Sequence, residues 1–521
     1  MNVHPDTLKQ IKAVAAMALP TASLAASIYF TEDLNGSISE QLLMGLDMLK
    51  VIHTKPFLLG GFVAGLMSSV GIIRTLDHFF KSDFTGAHYK KFIRGTEIVS
   101  ASKLKQITKE KEPQVTIAGV PVPTKLEAIH TLIMGSTGAG KSCILREMAY
   151  SIIQREKTSR DRMIFIDPNG DMISKFYTKG DVILNPFDGR SKGWSIFNEI
   201  RNQYDYDRYS YSLVPLGETK EAEEWNSYGR LLLREIAKKL NEIKGSRKPT
   251  VADIHRIATI ISHDDLRAFL TGTLAESLFA GSNEASRALT SARFVLSGKF
   301  DSLVEMPDGP FSIRDWLDEG TGNMFITWRE DMAKKLKPLI SAWTDVICTS
   351  MLSLEESRDR KIWLFIDELA SLDKLASFGD ALTKGRKHGL RIVAGLQAPS
   401  QLDEQYGRDA AQTLRANFSS LVVLRGVNTD PVSTEIMSKS LGEHEVERER
   451  DSTSSKGFGS KSTSTQLERV RERIVMPSEI ANQSRLKGWL ALAEGYPICK
   501  IEINPLTFVQ NTPAFVETGI L

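Results

Sequence analysis

Residues Gly135 to Ser142 read Gly-Ser-Thr-Gly-Ala-Gly-Lys-Ser, a GxxxxGK[ST] loop. Its glycines let successive backbone N–H groups converge on phosphate oxygens without a Cβ in the way. The pattern assigns Gly135, Ser136, Thr137, Gly138, Ala139, Gly140, Lys141 and Ser142 to a nucleotide-phosphate cradle. In it Lys141 neutralises β/γ-phosphate charge and Ser142 ligates Mg²⁺, so ATP and Mg²⁺ are the expected ligand and ion. A cradle alone only binds. Hydrolysis also needs a carboxylate to hold the metal and a group to direct the attacking water. Asp367 and Glu368 follow four apolar β-formers and supply both. Gln397, at the end of another apolar run, is placed to sense a γ-phosphate or simply to end a strand. Arg386, between the two runs, is either a surface charge or an arginine finger for the next subunit's site. Arg408, Arg415 and Arg425 are weaker candidates for that finger. Asp167 either reaches the nucleotide and metal or punctuates a strand end.

The elements that must position these residues alternate in the manner of a parallel α/β sheet. His130–Met134 is a predicted strand running into the loop, and Cys143–Tyr150 a helix running out of it. Gln114–Pro123 alternates and turns like a hairpin. Arg162–Ile166, Asn323–Thr327, Lys361–Ile366, Leu390–Leu396 and Leu421–Arg425 are further expected strands, with a helix over about 331–354. The order implies a RecA-like sheet. Between Trp194 and Glu305 the pattern turns helical, with amphipathic stretches over 218–240 and 250–261 and a capping Ser262, which predicts an all-α insertion. Trp225 on it is expected to pack between domains, with ligand contact as the alternative. The segment 443–473 is charged and Ser/Thr-rich, with disorder or a mobile hairpin as its reading; Lys456, Phe458 and Lys461 offer an alternative contact to a nucleic acid. The last part, 475–508, reads as sheet-edge strands with a short helix near Pro477.

Length allows about three domains in the 521 residues. The formal net charge of +2 does not mark the chain as a global polyanion binder, so any nucleic-acid contact must come from local patches, a pore or an oligomer, and charge alone leaves that open. Cys143, Cys348 and Cys499 are too scattered for zinc or a disulfide framework, as expected of a cytosolic bulk. The N-terminus differs. Ala13–Phe30 and Phe57–Ile73 are apolar runs at the short end of the roughly 17 to 25 residues that span a bilayer. Lysines and arginines flank them on the outside and acidic residues dominate the loop between, so both ends are expected to face the cytoplasm. A signal peptide is the alternative for the first run. Gly61 and Gly65 form a GxxxG that would let two helices approach closely. The expected organisation is thus a membrane anchor over 1–80 with two transmembrane helices, a nucleotide-binding domain in two parts over 81–193 and 306–521, and an all-α insertion over 194–305.

Taken with the two N-terminal runs, the segments Phe92–Thr96, Ile117–Pro121, His130–Gly135 into the phosphate loop, Asp167–Asp171, Asn185–Asp188, Trp363–Leu369 and Gly395–Gln397 resemble the TraD/TrwB-type coupling proteins of bacterial conjugation. The resemblance covers nearly the whole chain. It implies an inner-membrane ATPase, hexameric around a central channel, that links a relaxase and its processed DNA to a type IV secretion channel and pumps single-stranded DNA. It also implies a RecA-like domain with an inserted all-α domain. The family's phosphate-loop lysine and serine fall on Lys141 and Ser142, its strand-end pair on Asp367 and Glu368, its sensor on Gln397 and its finger on Arg386. Two rival readings stand beside it: a translocase of duplex DNA in chromosome partitioning, a class that resembles this chain in the core, and a platform that recruits secreted proteins with ATP as an assembly switch, a role that the all-α insertion also suits.

Overall fold

The structure, a computed structural model, describes residues 5–31, 56–79, 91–155, 161–217, 219–243, 247–456 and 460–518. They form two compact units, one drawn from Met1–Lys91 and Val446–Val470, the other from Phe92–Glu445 and Arg471–Leu521. The loop between the two N-terminal apolar runs, the basic stretch 81–90 and Phe458 lie outside the described residues.

The larger unit is built on ten strands: β1 (Ile98–Val99), β2 (Thr131–Met134), β3 (Asp161–Pro168), β4 (Val182–Leu184), β5 (Met324–Trp328), β6 (Lys361–Ile366), β7 (Leu390–Leu396), β8 (Ser420–Leu424), β9 (Lys487–Ala491) and β10 (Ile498–Glu502). Their spatial order is β1-β10-β9-β8-β2-β7-β6-β3-β5-β4. Seven neighbours from β8 to β4 are parallel, whereas β9 pairs antiparallel with both β8 and β10. Every residue of β7 is buried, as a strand covered on both faces requires. Alternation then divides the strands between two cores. Leu364, Ile366, Ile392 and Ala394 join one, and Trp363, Phe365 and Val393 the other. In the second, Phe165 stacks between Phe325 and Phe365 at 5.1 and 5.2 Å, an aromatic row that locks three adjacent strands in register.

One buried group at the N-terminal edge of this sheet reports on pH. His130 precedes β2, and its Nδ1 accepts the Ile392 N–H of β7 at 2.9 Å. Burial lowers its pKa to about 4, so the ring is neutral at pH 7. The folded state therefore resists a proton that the unfolded chain takes up near pH 6.5. Stability should be intact above that value and fall as pH drops toward 4, by on the order of 3 kcal/mol. Thermal melts of the chain and of His130→Gln across pH 4 to 7 should show a slope that the variant lacks.

Helices cover the sheet. In the smaller unit α1 (Pro5–Thr31) and α2 (Pro56–Phe79) pack together. In the larger one α3 (Lys141–Arg155) follows β2 and α4 (Asp171–Phe176) follows β3. Between β4 and β5 come α5 (Gln203–Leu213), α6 (Lys220–Glu242), α7 (Val251–His255), α8 (His263–Leu270) and α9 (Asn283–Leu303). Their starts carry side-chain caps: Thr219, Ser262 and Ser282 each accept a backbone N–H three residues on, at 3.1 Å. Then α10 (Ala333–Met351) joins β5 to β6. Trp225 on α6 is 46% exposed, so it does not serve the packing expected of it within this chain. The charged segment 443–473 is a β-hairpin of two 14-residue strands, Glu443–Lys456 and Ser460–Arg473.

Both N-terminal apolar runs are helical, and the GxxxG finds a partner. A Cβ on Gly65 would lie 2.7 Å from Pro20 Cα, and Ser23 Oγ donates to the Gly61 carbonyl at 2.7 Å. No helix among the described residues, however, is long and apolar enough to cross a membrane. Alanine, serine, threonine and glycine dilute both runs, and Asp6, Lys9, Lys12, Arg74 and Asp77 fall inside the helices that contain them.

Candidate nucleotide site

The loop 135–142 springs from the C-terminal end of β2, which lies between β8 and β7. Its root is tied to both: Gly135 N–H donates to Leu396 O at 3.1 Å and Ser136 N–H to Arg425 O at 2.8 Å. Gly138 and Gly140 adopt φ of 71° and 118°, values that side chains with a Cβ avoid. The far side of the loop is buttressed by the C-terminal part of the chain. Leu486 N–H donates to Ala139 O at 3.1 Å, Ile503 N–H to Leu486 O at 2.7 Å, and a Cβ on Gly140 would strike Ile503 at 2.7 Å.

Five of the expected residues, Lys141, Ser142, Asp367, Glu368 and Gln397, converge here. Ser142 Oγ donates to Asp367 Oδ1 at 2.9 Å. Lys141 Nζ donates to Gly135 O at 2.8 Å and stands 3.9 Å from Glu368 Oε2. The Glu368 carboxylate accepts the Gln397 backbone N–H at 3.1 Å, which leaves the exposed Gln397 amide free of that task. Burial lowers the Lys141 pKa, an effect that Glu368 and Asp367 oppose. Burial likewise raises Asp367 and Glu368, countered by the Ser142 hydroxyl for the first and the Lys141 ammonium for the second. These residues line a cleft of about 730 Å³.

The Asp367–Glu368 corner depends on a missing side chain next door. A Cβ on Gly395 would clash with the Asp367 carbonyl oxygen, so β7 lies against β6 here only because residue 395 has none. Gly395→Ala should cost about 1 to 3 kcal/mol through overpacking and displace both carboxylates. A melting curve alongside ATP turnover checks this, with turnover expected to fall further than the loss of folded protein explains.

Other expected residues are placed differently. Asp167 is fully buried and accepts the Met172 N–H at 2.6 Å, capping α4; burial first, then Asp367, pushes its pKa up to about 8. It thus serves the strand end. Arg386 does not reach this cleft. It is exposed in the turn Gly385–His388 before β7, whereas Gln397 follows β7, so the strand's length of about 20 Å separates it from its own chain's carboxylates. Arg415 is held by Asp403 at 2.7 Å.

Sequence reading missed part of the cleft. Asn169 and Trp328, beyond the ends of β3 and at the end of β5, and Lys334 and Lys337 on α10 also line it. The tendency of ligands to lie beyond the carboxyl ends of parallel strands was the signal available for Trp328. Missed too was a strap over 503–518. Asn511 N–H donates to Ser174 O at 2.8 Å and Phe508 packs edge-on to Phe176 at 5.1 Å. Arg190, clamped by Asp188, donates to Thr512 Oγ1 and Pro513 O at 3.1 and 2.9 Å.

A parallel α/β sheet, a phosphate loop rooted between two of its strands and an Asp-Glu pair closing on that loop define a P-loop nucleotide-binding protein. The chain is 28% identical over 425 residues to the coupling protein TraD of Escherichia coli (strain K12), a match that covers 79% of this chain and 57% of that relative. The chain therefore spans little more than half the length of that curated relative. Among solved structures it is similar to the bacterial conjugative coupling protein TrwBdeltaN70 in an unbound monoclinic form, at 60% identity and a TM-score of 0.78, over 83% of this chain and 99% of that one. It is also similar to the plasmid coupling protein TrwB in complex with ADP and Mg²⁺, at 59% identity and a TM-score of 0.78, over 84% of this chain and 100% of that one. Residues 114–504 match the family of the type IV secretion-system coupling protein DNA-binding domain, and the chain belongs to that family.

Proposed function

We propose that the chain is the ATP-hydrolysing coupling protein of a conjugation system, which moves single-stranded DNA toward a type IV secretion channel. The observation that carries this reading is the hydrogen bond from Ser142 to Asp367 with Lys141 and Glu368 in the same cleft. The backbone amides of 135–142 and the Lys141 ammonium bind and orient the β- and γ-phosphates. The Ser142 hydroxyl and Asp367 carboxylate, already in contact, are hard oxygen donors suited to Mg²⁺, which when bound supplies charge neutralisation to the phosphates. Glu368, held by the Gln397 backbone, orients water and takes its proton as the Pγ–O bond breaks. The Gln397 amide senses the γ-phosphate.

The exposed Arg386, remote from its own cleft, fits a finger supplied in trans, which makes a ring of subunits, a hexamer in this reading, the active species. The family's DNA-binding domain supports DNA as a partner, and a relaxase complex is the second partner in this reading. In the same reading the 1–80 segment anchors the protein to the inner membrane with its main domain in the cytoplasm, and 194–305 forms the inserted all-α domain within 81–521. Outward apolar side chains support the anchor: Val14, Met17, Val63 and Met67 are 44 to 72% exposed on the helical pair.

The test is the ATPase rate of the detergent-solubilised full chain with and without single-stranded or duplex DNA. Turnover stimulated by single strands is the expected result. Stronger stimulation by duplex would favour duplex translocation, and nucleotide binding with no DNA effect would overturn the motor in favour of a recruitment platform.

A further inference from the structure

Directly after Glu368 the chain runs through a short loop to Ser377, and this loop is fastened to α10 and, with it, to helices between β4 and β5 in two unlike ways. At its far end the fastening is buried. Asp345 of α10, fully buried, accepts the Ser377 N–H at 2.7 Å and the Ser212 hydroxyl of α5 at 2.6 Å. Nearer the cleft the fastening is a half-exposed charge cluster. Asp373, whose N–H is held by Ser341 Oγ at 2.7 Å, places Oδ2 3.2 Å from Lys299 of α9 and Oδ1 3.6 Å from Lys337 of α10.

The two lysines have different second options. Lys337 lines the nucleotide cleft, on a wall separate from the phosphate loop. Lys299 is on α9 and does not line that cleft. Ion pairs with partly exposed partners are weak, and a triphosphate carries more negative charge than one carboxylate. An incoming nucleotide therefore competes with Asp373 for Lys337, whereas Lys299 keeps Asp373 as its partner.

We propose that Lys337 is a further triphosphate-binding residue and that Asp373 is the positioning residue which holds it in the free protein and, when it is released, shifts its whole charge to Lys299. This rests on the cleft being the nucleotide site proposed above. Occupancy of the cleft is then communicated to α9 through one carboxylate.

The experiment uses the full chain with a fluorescent non-hydrolysable ATP analogue, ADP as competitor, and hydrogen exchange of Asn283–Leu303. Lys337→Met should weaken the triphosphate analogue about tenfold and ADP less. Asp373→Asn should tighten the analogue about threefold by freeing Lys337. Lys299→Met should weaken the analogue by no more than about threefold, because Asp373 is then left to Lys337 alone, and should abolish the analogue-dependent change in exchange over 283–303. Unchanged triphosphate affinity in Lys337→Met, a merely less stable Asp373→Asn with unaltered affinity, or an exchange response that survives Lys299→Met would overturn the proposal. Lys141→Ala separates this from failure of the site itself: if it too binds the analogue normally, the cleft is not the nucleotide site.

Discussion

Arg386→Ala should lower ATP turnover about a thousandfold or more while nucleotide affinity stays within about twofold. Arginine fingers that stabilise the spreading charge of phosphoryl transfer contribute effects of that size. Arg386 stands at the opposite end of β7 from Gln397, is exposed, and lies outside the cleft that holds Ser142 and Glu368. A ground-state contact to its own nucleotide is therefore not available to lose. The decisive version mixes two inactive variants. Arg386→Ala retains a complete cleft, and Lys141→Ala retains the finger, so co-assembled rings contain interfaces with one good half of each. A fraction of wild-type turnover should return on mixing. Turnover that is unaffected in Arg386→Ala, or two variants that never complement, would remove the residue from catalysis.

Glu368→Gln should cost about 10² to 10⁴ in turnover, the usual contribution of a positioned general base. Binding should persist, because Lys141, Ser142 and Asp367 remain and the amide oxygen can still accept the Gln397 N–H. The variant should therefore trap nucleotide. Stoichiometric retention of unhydrolysed ATP on the purified variant, measured after gel filtration, is the outcome to look for; rapid release or normal hydrolysis would contradict the assignment.

Both changes fall on residues that sequence alone singled out, and the reason is physical. A phosphate loop needs glycines with positive φ followed by Lys-Ser, and few other tasks impose that order. The largely apolar strands Lys361–Ile366 and Leu390–Leu396 run over the residues expected of them because a sheet covered on both faces leaves few polar positions, with Arg391 as a buried exception. Gly395 and Asp188 were legible only as parts of a resemblance; the structure gives their reasons, the Asp367 carbonyl standing where a Cβ would go and a clamp on Arg190. Other features left no local trace. Lys337 is one lysine among many on an amphipathic helix, and its role depends on Asp373 from a distant loop. The strap over 503–518 has no periodicity, since its conformation is set by Arg190, Ser174 and Tyr150 rather than by its own propensities. Asp167 misleads for the opposite reason: a carboxylate near a catalytic pair suggests chemistry, but its oxygen is spent on the Met172 N–H.

The phosphate loop leans on residues made long after it. Ala139 is held by Leu486, and Leu486 by Ile503, with Gly140 fitted beneath that isoleucine. During vectorial synthesis the loop is therefore exposed for roughly tens of seconds before its support exists. A chain cut short before residue 503 would carry every catalytic side chain yet lack the Ile503 contact that holds Leu486 and covers Gly140.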